Sequence, residues 1–457
     1  MADKADKTAQ LGSAPVGPLF LRLALPAVLA QMVTMANNIV DRIWVGHIPG
    51  DGLLALGAVG VGLPIVHLFI SFTLMIAAGM APELSILLGK GRRDEAGRVS
   101  GACFTLALGV NLLVAVGLSI FADPLLLSFG AGEASLPFAR SYLRTLAWGA
   151  PISNILLVLI MWLNAQGYVS EGVKLSILSV LVNAVLDPVL IFALGLGVTG
   201  AALATNAGAA VALAWGARFA YREGRLVRFG FADLGFLPRY WVPSVLLGLS
   251  TFLNVALDAL AQLFFNMGLQ RYGGDQAVAA MAMLSLPMLV VVFFTMGLSM
   301  GAQPIVSFNY GRGEIGRVRS ANRWFLSVAF AFSFLFWAVA MVSPDALWGL
   351  FSDDAALLAY TTDHTRLFYA AMLLNGVQLA YLYIIKFLGR VKMSLVLSVV
   401  RRLFLMLPLI FVFPAVLGCD KVNAVLLASP VSDAVACLVA AIAYLRVMRS
   451  MIAKGVK

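Results

Sequence analysis

Apolar runs of about 20 residues recur along this chain between short polar links, and that is the length an α-helix needs to cross the hydrocarbon core of a bilayer. The runs are too long for the strands of a membrane barrel, which need only about 9–11 residues of alternating character. The chain must therefore fold as an all-α polytopic membrane protein. Twelve spans are read, at 18–45, 52–86, 99–121, 136–163, 170–194, 198–221, 238–270, 276–308, 319–342, 356–385, 393–418 and 422–448. Charged residues make up only 12% of the chain, about half the usual share in a soluble protein.

The net charge of +10 invites a nucleic-acid reading, but its distribution points to a membrane. Lys90, Arg92, Arg93 and Arg98 follow the second span, and Arg218, Arg222, Arg225, Arg228 and Arg239 surround the junction of the sixth and seventh. Arg312, Arg317, Arg319 and Arg323 follow the eighth, Lys386, Arg390 and Lys392 the tenth, and Arg446, Arg449, Lys454 and Lys457 the last. The intervening loops are poor in Lys and Arg, so the positive-inside rule places both termini in the cytoplasm. Met1 to Pro18 is polar and lacks the apolar core of a cleavable leader, so residues 1–17 are read as a cytoplasmic tail leading toward a surface helix. Cys103, Cys419 and Cys437 are too few and too scattered for a disulfide framework or metal cluster, and His47, His67 and His364 show no ligand spacing.

The halves of the chain match at an offset of 222 residues. Gly79, Pro82, Ser85, Gly89, Lys90 and Gly91 fall on Gly301, Pro304, Ser307, Gly311, Arg312 and Gly313, and Phe72-Thr73 falls on Phe294-Thr295. Asp123, Phe129 and Arg144 fall on Asp345, Phe351 and Arg366, and with small gaps Gly50-Asp51 aligns with Gly274-Asp275. Six spans separate equivalent positions, and an even number preserves orientation, so the repeat is parallel. Two six-helix bundles follow: an N-lobe at 18–221, a cytoplasmic linker at 222–237, a C-lobe at 238–448 and a cytoplasmic tail at 449–457. Two such bundles facing each other across a cleft suit alternating access.

Against this background the charged residues within spans stand out. Asn183-Ala-Val-Leu-Asp187-Pro188 lies in an apolar stretch, and a carboxylate at membrane depth costs roughly 2.5–3.5 kcal/mol on insertion scales. Asn183 and Asp187 are four apart and share a helix face. Pro188 removes a backbone donor and frees a carbonyl one turn earlier. Asp41 lies in a similar setting. Two acids in hydrocarbon point to a site that takes up and releases cations. The repeat fails here: Leu407-Pro408 keeps the proline without the acid, and Arg401-Arg402 stand near the position equivalent to Asn183. Asp258 is read either as a substrate or cation group or as the partner of an Arg. Arg401 and Arg402 are read as cleft or gating charges, as snorkelling side chains or as structural ion pairs. Glu83 is read as solvated. Met32, Met35, Met161, Met281, Met283, Met288 and Met296 offer either an adaptable ligand surface or ordinary packing.

Three motifs resemble those of the multidrug and toxic compound extrusion (MATE) family, in its prokaryotic form. They are Asn38-Ile-Val-Asp41-Arg-Ile-Trp-Val-Gly46, then Asn183-x3-Asp187-Pro188-Val-Leu-Ile-Phe192 with Gly197-x2-Gly200-Ala-Ala-x-Ala-Thr205, and the paired Gly-x2-Pro segments closing the second and eighth spans. The resemblance implies a cation-coupled antiporter that exports organic, often cationic and lipophilic, compounds from the bacterial or archaeal inner membrane. It carries the coupling site onto Asp41, Asn183, Asp187 and Thr205, more loosely onto Asn164, and a bending point onto Pro26. Some members use acids in the seventh and tenth spans; here these positions offer Asp258 and the uncharged Asn375 and Gln378. No cofactor is implied beyond the coupling ion, H⁺ or Na⁺, and no metal beyond Na⁺ at Asp41 and Asp187. The partners expected are small organic substrates and the bilayer, with no nucleic acid, and a working monomer.

Two other functions compete. A flippase of lipid-linked sugars needs cations along its cleft to hold phosphate, and Arg401 and Arg402 favour it, whereas Asp41 and Asp187 oppose it. An integral-membrane transferase needs a polar catalytic cluster, and neither such a cluster nor a nucleotide-binding glycine loop is present in the sequence.

Overall fold

The computed structural model describes residues 7–49, 52–129, 131–222, 227, 233–348 and 355–453. Gly50, Asp51, Arg225, Arg228, Phe351, Lys454 and Lys457, which entered the charge and repeat readings, lie outside these residues, as does most of the expected linker. The described residues form helices and no strand. Within lipid this is the physical consequence of composition, because a helix satisfies its backbone polar groups internally.

A short helix, α1 (Lys7–Ser13), precedes the membrane helices. It is docked, unlike a free tail: Leu11 and Thr8 are buried, and the Thr8 hydroxyl donates to the Gln166 carbonyl at 2.9 Å. The helices that follow are α2 (Val16–Gly46), α3 (Gly52–Gly89), α4 (Arg93–Ser128), α5 (Leu136–Ala165), α6 (Val169–Pro188), α7 (Gly197–Arg222), α8 (Pro238–Gly274), α9 (Gln276–Arg312) and α10 (Ile315–Val342). After the short α11 (Pro344–Trp348) come α12 (Ala355–Phe368), α13 (Met372–Phe387), α14 (Val391–Val416) and α15 (Lys421–Ala453). Eleven of these are long and apolar enough to cross a bilayer alone, and the pair α12 and α13 supplies a twelfth. The span expected at 356–385 is thus bent, by 55°. No Pro or Gly marks the bend; Tyr369, fully buried beside it, donates its hydroxyl to the Leu284 carbonyl.

By contacts the chain divides into two units, Met1–Ala14 with Leu25–Phe252, and Pro15–Ala24 with Leu253–Lys457. The division falls inside α2 and α8, not at the 222–237 linker. In the first unit the opening half of α8 crosses α3 where both backbones lack side chains: a Cβ on Gly79 would stand 1.7 Å from the Ser244 carbonyl oxygen. Glu83 is part-buried at this crossing and accepts from the Ser244 hydroxyl, so it is not simply solvated. In the second unit the opening half of α2 packs in the same manner, Ala24 against Gly301 and Phe20 against Phe325. The second unit's core also takes in Met281 and Met283, with Met288 packed against it, so these are packing residues. Lys386, counted with a cytoplasmic loop from sequence, is buried within α13, its ammonium 5.1 Å from the Tyr383 ring centre.

Proline reshapes one helix in each unit without breaking it. After Pro188 the chain widens into a π-turn, Val189–Ala193, in which the Leu194 amide bonds the Val189 carbonyl five residues back. The chain then reverses through Gly195 and Gly197, both with positive φ, a conformation costly for other residues. In the second unit a π-turn spans Val400–Met406, just before Pro408, and the Leu407 amide bonds the Arg402 carbonyl. Such turns recur at functional sites.

Candidate cation site

Asp41 and Asp187 come together in the first unit, from α2 and α6. Asn37 is the connector: its amide lies 3.1 and 3.2 Å from the two Asp41 oxygens and 2.9 Å from Asn183 Oδ1. Asn183 in turn donates to Asp187 Oδ1 at 3.2 Å and lies 3.4 Å from Thr205 Oγ1 on α7. The Thr205 hydroxyl donates to the Ala201 carbonyl, so it presents an acceptor to the cluster. Helices α6 and α7 approach closely enough for this contact because Gly208 lacks a side chain; a Cβ there would lie 2.4 Å from the Ser179 carbonyl oxygen.

Asp187 is 1% exposed and Asn183 4%. Yet Asp187 Oδ2 accepts no hydrogen bond, and neither acid pairs with Lys or Arg among the described residues. The two carboxyls lie near enough for one to bond the other once a proton sits between them. Tyr142 of α5 stands within electrostatic reach of both. Two adjacent acids in a low-dielectric setting titrate as a pair. Proton binding supplies the missing donor to the orphaned oxygen, and a bound cation supplies charge to both; the amide and hydroxyl oxygens nearby are hard ligands.

Asn37 is the residue that sequence reasoning left out of the site. Its signal was present, since Asn37-x3-Asp41 repeats the spacing of Asn183-x3-Asp187. Asn164 does not belong to the cluster. It is buried at the end of α5, where its Oδ1 would lie 2.4 Å from a Cβ on Gly172. Gly172 is 15 residues from Asp187 along α6, which is roughly 22 Å of helix. Pro26 lies within α2, which runs through it unbroken.

Among the described residues the second unit assembles no equivalent acid pair. Asp258, weighed as a substrate or cation group, has both oxygens engaged by Arg402, which also donates to Asn254 at 2.8 Å. Arg401 pairs with Asp433 of α15, an acid that sequence reasoning did not single out. Arg401, Arg402 and Asp433 are buried, whereas Asp258 is exposed; both arginines stand in ion pairs, and that of Arg402 has an open carboxylate. Asn375 and Gln378 are buried on α13 with no bond to Asp258 among the described residues; Asn375 Oδ1 and Gln378 Oε1 accept no hydrogen bond there.

A duplicated set of twelve membrane helices with an acid cluster inside one bundle defines a multi-pass transport protein rather than an enzyme. The MatE family model matches residues 26–189 and 251–412, one stretch in each half of the repeat, and the chain belongs to that family. A "FAD transporter" of Shewanella oneidensis is 27% identical over 92% of this chain and 92% of its own. "Multidrug export protein MepA" of Staphylococcus haemolyticus is 23% identical over 88% of each chain. A crystal structure of MATE in the bent conformation matches with a TM-score of 0.91 at 21% identity, covering 99% of this chain and 100% of that one, so the fold is shared.

Proposed function

We propose that this protein is a cation-coupled secondary antiporter that exports organic compounds by alternating access of its two lobes. Its place is the bacterial or archaeal cytoplasmic membrane, with both termini inside. The observation that carries this reading is the buried oxygen of Asp187 beside Asp41, with amides aligned on both and no Lys or Arg paired with either among the described residues. H⁺ or Na⁺ binds there, removes repulsion between the acids and draws α2 toward α6. Pro26 gives α2 a place to respond, because the Arg22 carbonyl lacks its usual donor and the contact division falls one residue away, between Ala24 and Leu25.

The cargo is a small organic compound, a drug-like one by likeness to the relative named as a multidrug export protein, and cationic and lipophilic as the family resemblance implies. The relative named as a FAD transporter is more similar in sequence and supports a second reading, an anionic dinucleotide cargo. The flippase reading loses its chief support, since Arg401 and Arg402 are already neutralised by Asp433 and Asp258. The test is efflux from proteoliposomes, with a cationic dye and FAD as separate cargoes, under separately imposed proton and sodium gradients. Wild type is expected to respond to one gradient and Asp41→Asn to neither; equal gradient-driven efflux by the variant defeats the reading.

A further inference from the structure

A cavity of ≈ 550 Å³ opens in the first unit beside the acid cluster but outside it. Its wall includes Ser141 of α5, Ile191 and Phe192 of the π-turn, and Thr199 of α7. The Ser141 and Thr199 hydroxyls bond each other at 2.6 Å across the gap between α5 and α7, giving this wall a polar edge. The residue after Ser141 is Tyr142, which reaches both carboxyls electrostatically.

Between cavity and acids lies one helical turn. Ile191 follows Asp187 by four residues, so it continues the face of α6 that carries Asn183 and Asp187. It lines the cavity, yet it is 2% exposed and packs with Val45, Val198 and Ala201 in an apolar cluster. Four residues before it on the same helix stands Asp187, whose Oδ2 is buried and accepts no hydrogen bond among the described residues. The π-turn is a wide, adjustable piece of helix and is where this septum is mounted. Small apolar barriers of this kind gate ions by excluding water.

We propose that this cavity is the vestibule through which the coupling cation reaches Asp187 from within the first unit, and that Ile191 is its gate. The ion path is then separate from the path of the organic cargo. A cavity of this volume with hydroxyls on its wall has room for water, so an entering ion would keep its shell until the septum. This rests on the proposed role of Asp41 and Asp187.

The experiment follows proton entry with a trapped pH dye, and sodium entry with radioactive ²²Na⁺, into proteoliposomes lacking any organic cargo. Ile191→Ala shortens the septum and is expected to raise entry of the coupling ion several-fold over wild type. Thr199→Leu fills the cavity rim and is expected to slow ion-coupled dye efflux several-fold without weakening dye binding, measured by fluorescence quenching. Adding Asp187→Asn to Ile191→Ala is expected to return ion entry to the wild-type level. Unchanged ion entry with Ile191→Ala, together with unchanged coupled efflux for Thr199→Leu, overturns the vestibule. Failure of Asp187→Asn alone to affect coupled efflux instead removes the proposed function, so the two ideas fail in different ways.

Discussion

The two units solve the problem of buried charge in opposite ways. In the first, Asp41 and Asp187 are bonded by the amides of Asn37 and Asn183, and one buried oxygen of Asp187 has no donor among the described residues. In the second, each buried guanidinium has its own carboxylate, Arg401 with Asp433 and Arg402 with Asp258. Both sets use a helix distorted by a π-turn near a proline, Pro188 in one and Pro408 in the other. A duplicated frame therefore carries acids without a cationic partner in one copy and ion-paired acids in the other, among the described residues. An uncompensated acid changes state when a small ion arrives, whereas a paired acid is held fixed. The proposed coupling role therefore falls to the first arrangement, in which the acids have no cationic partner among the described residues.

The sharpest way to break this contrast is Asp187→Asn, which removes the charge yet keeps the shape. Gradient-driven dye efflux is expected to vanish while the protein remains folded by thermal-shift assay; retained coupling would mean that the acid is merely structural. Next in size is Arg401→Ala, which leaves Asp433 buried and unpaired. Breaking such a pair costs about 3–5 kcal/mol, read as a lowered denaturation midpoint in detergent. Replacing Arg401 by Met and Asp433 by Leu together is expected to recover most of that loss, because neither charge is then stranded. Asn183→Ala removes the bridge between Asn37 and Asp187. The Asn183 amide donates to the ion-free carboxylate of Asp187, and a hydrogen bond to a charged group is worth about 1.5–3 kcal/mol, so its loss favours the ion-bound form and the ion concentration at half-maximal transport should fall about tenfold or more. The smallest effect belongs to Thr205→Val. Its link to Asn183 is long, at 3.4 Å, so the shift should stay below about 1 kcal/mol in the same transport assay.

Much of this contrast was visible in sequence. The placement of Asp41 and Asp187 in apolar stretches, and the loss of the carboxylate at Leu407-Pro408, singled out the first half as the polar one. Asn183 and Asp187 could be paired because a helix puts residues four apart on one face. Asn37 was equally available by that rule and was passed over. Asn164 was misplaced for the converse reason: a motif resemblance carries no distance, and the length of α6 separates it from the acids. Asp433 gave no local sign that it would meet Arg401, 32 residues away on a different helix. The bend between α12 and α13 also escaped, since it is held by the tertiary bond from Tyr369 and not by proline or glycine.

Hydropathy determined by itself that the chain crosses a membrane as helices, because lipid leaves the backbone no other way to bond. The spacing of like residues determined that the halves are parallel copies, and local periodicity determined which polar groups share a face. Tertiary structure alone decided which charges are neutralised, since a carboxylate and a guanidinium from distant helices meet only if packing brings them within bonding distance. It also decided that one oxygen of Asp187 stays without a donor. Its lack of a donor among the described residues depends on how several helices pack, and no stretch of sequence records that.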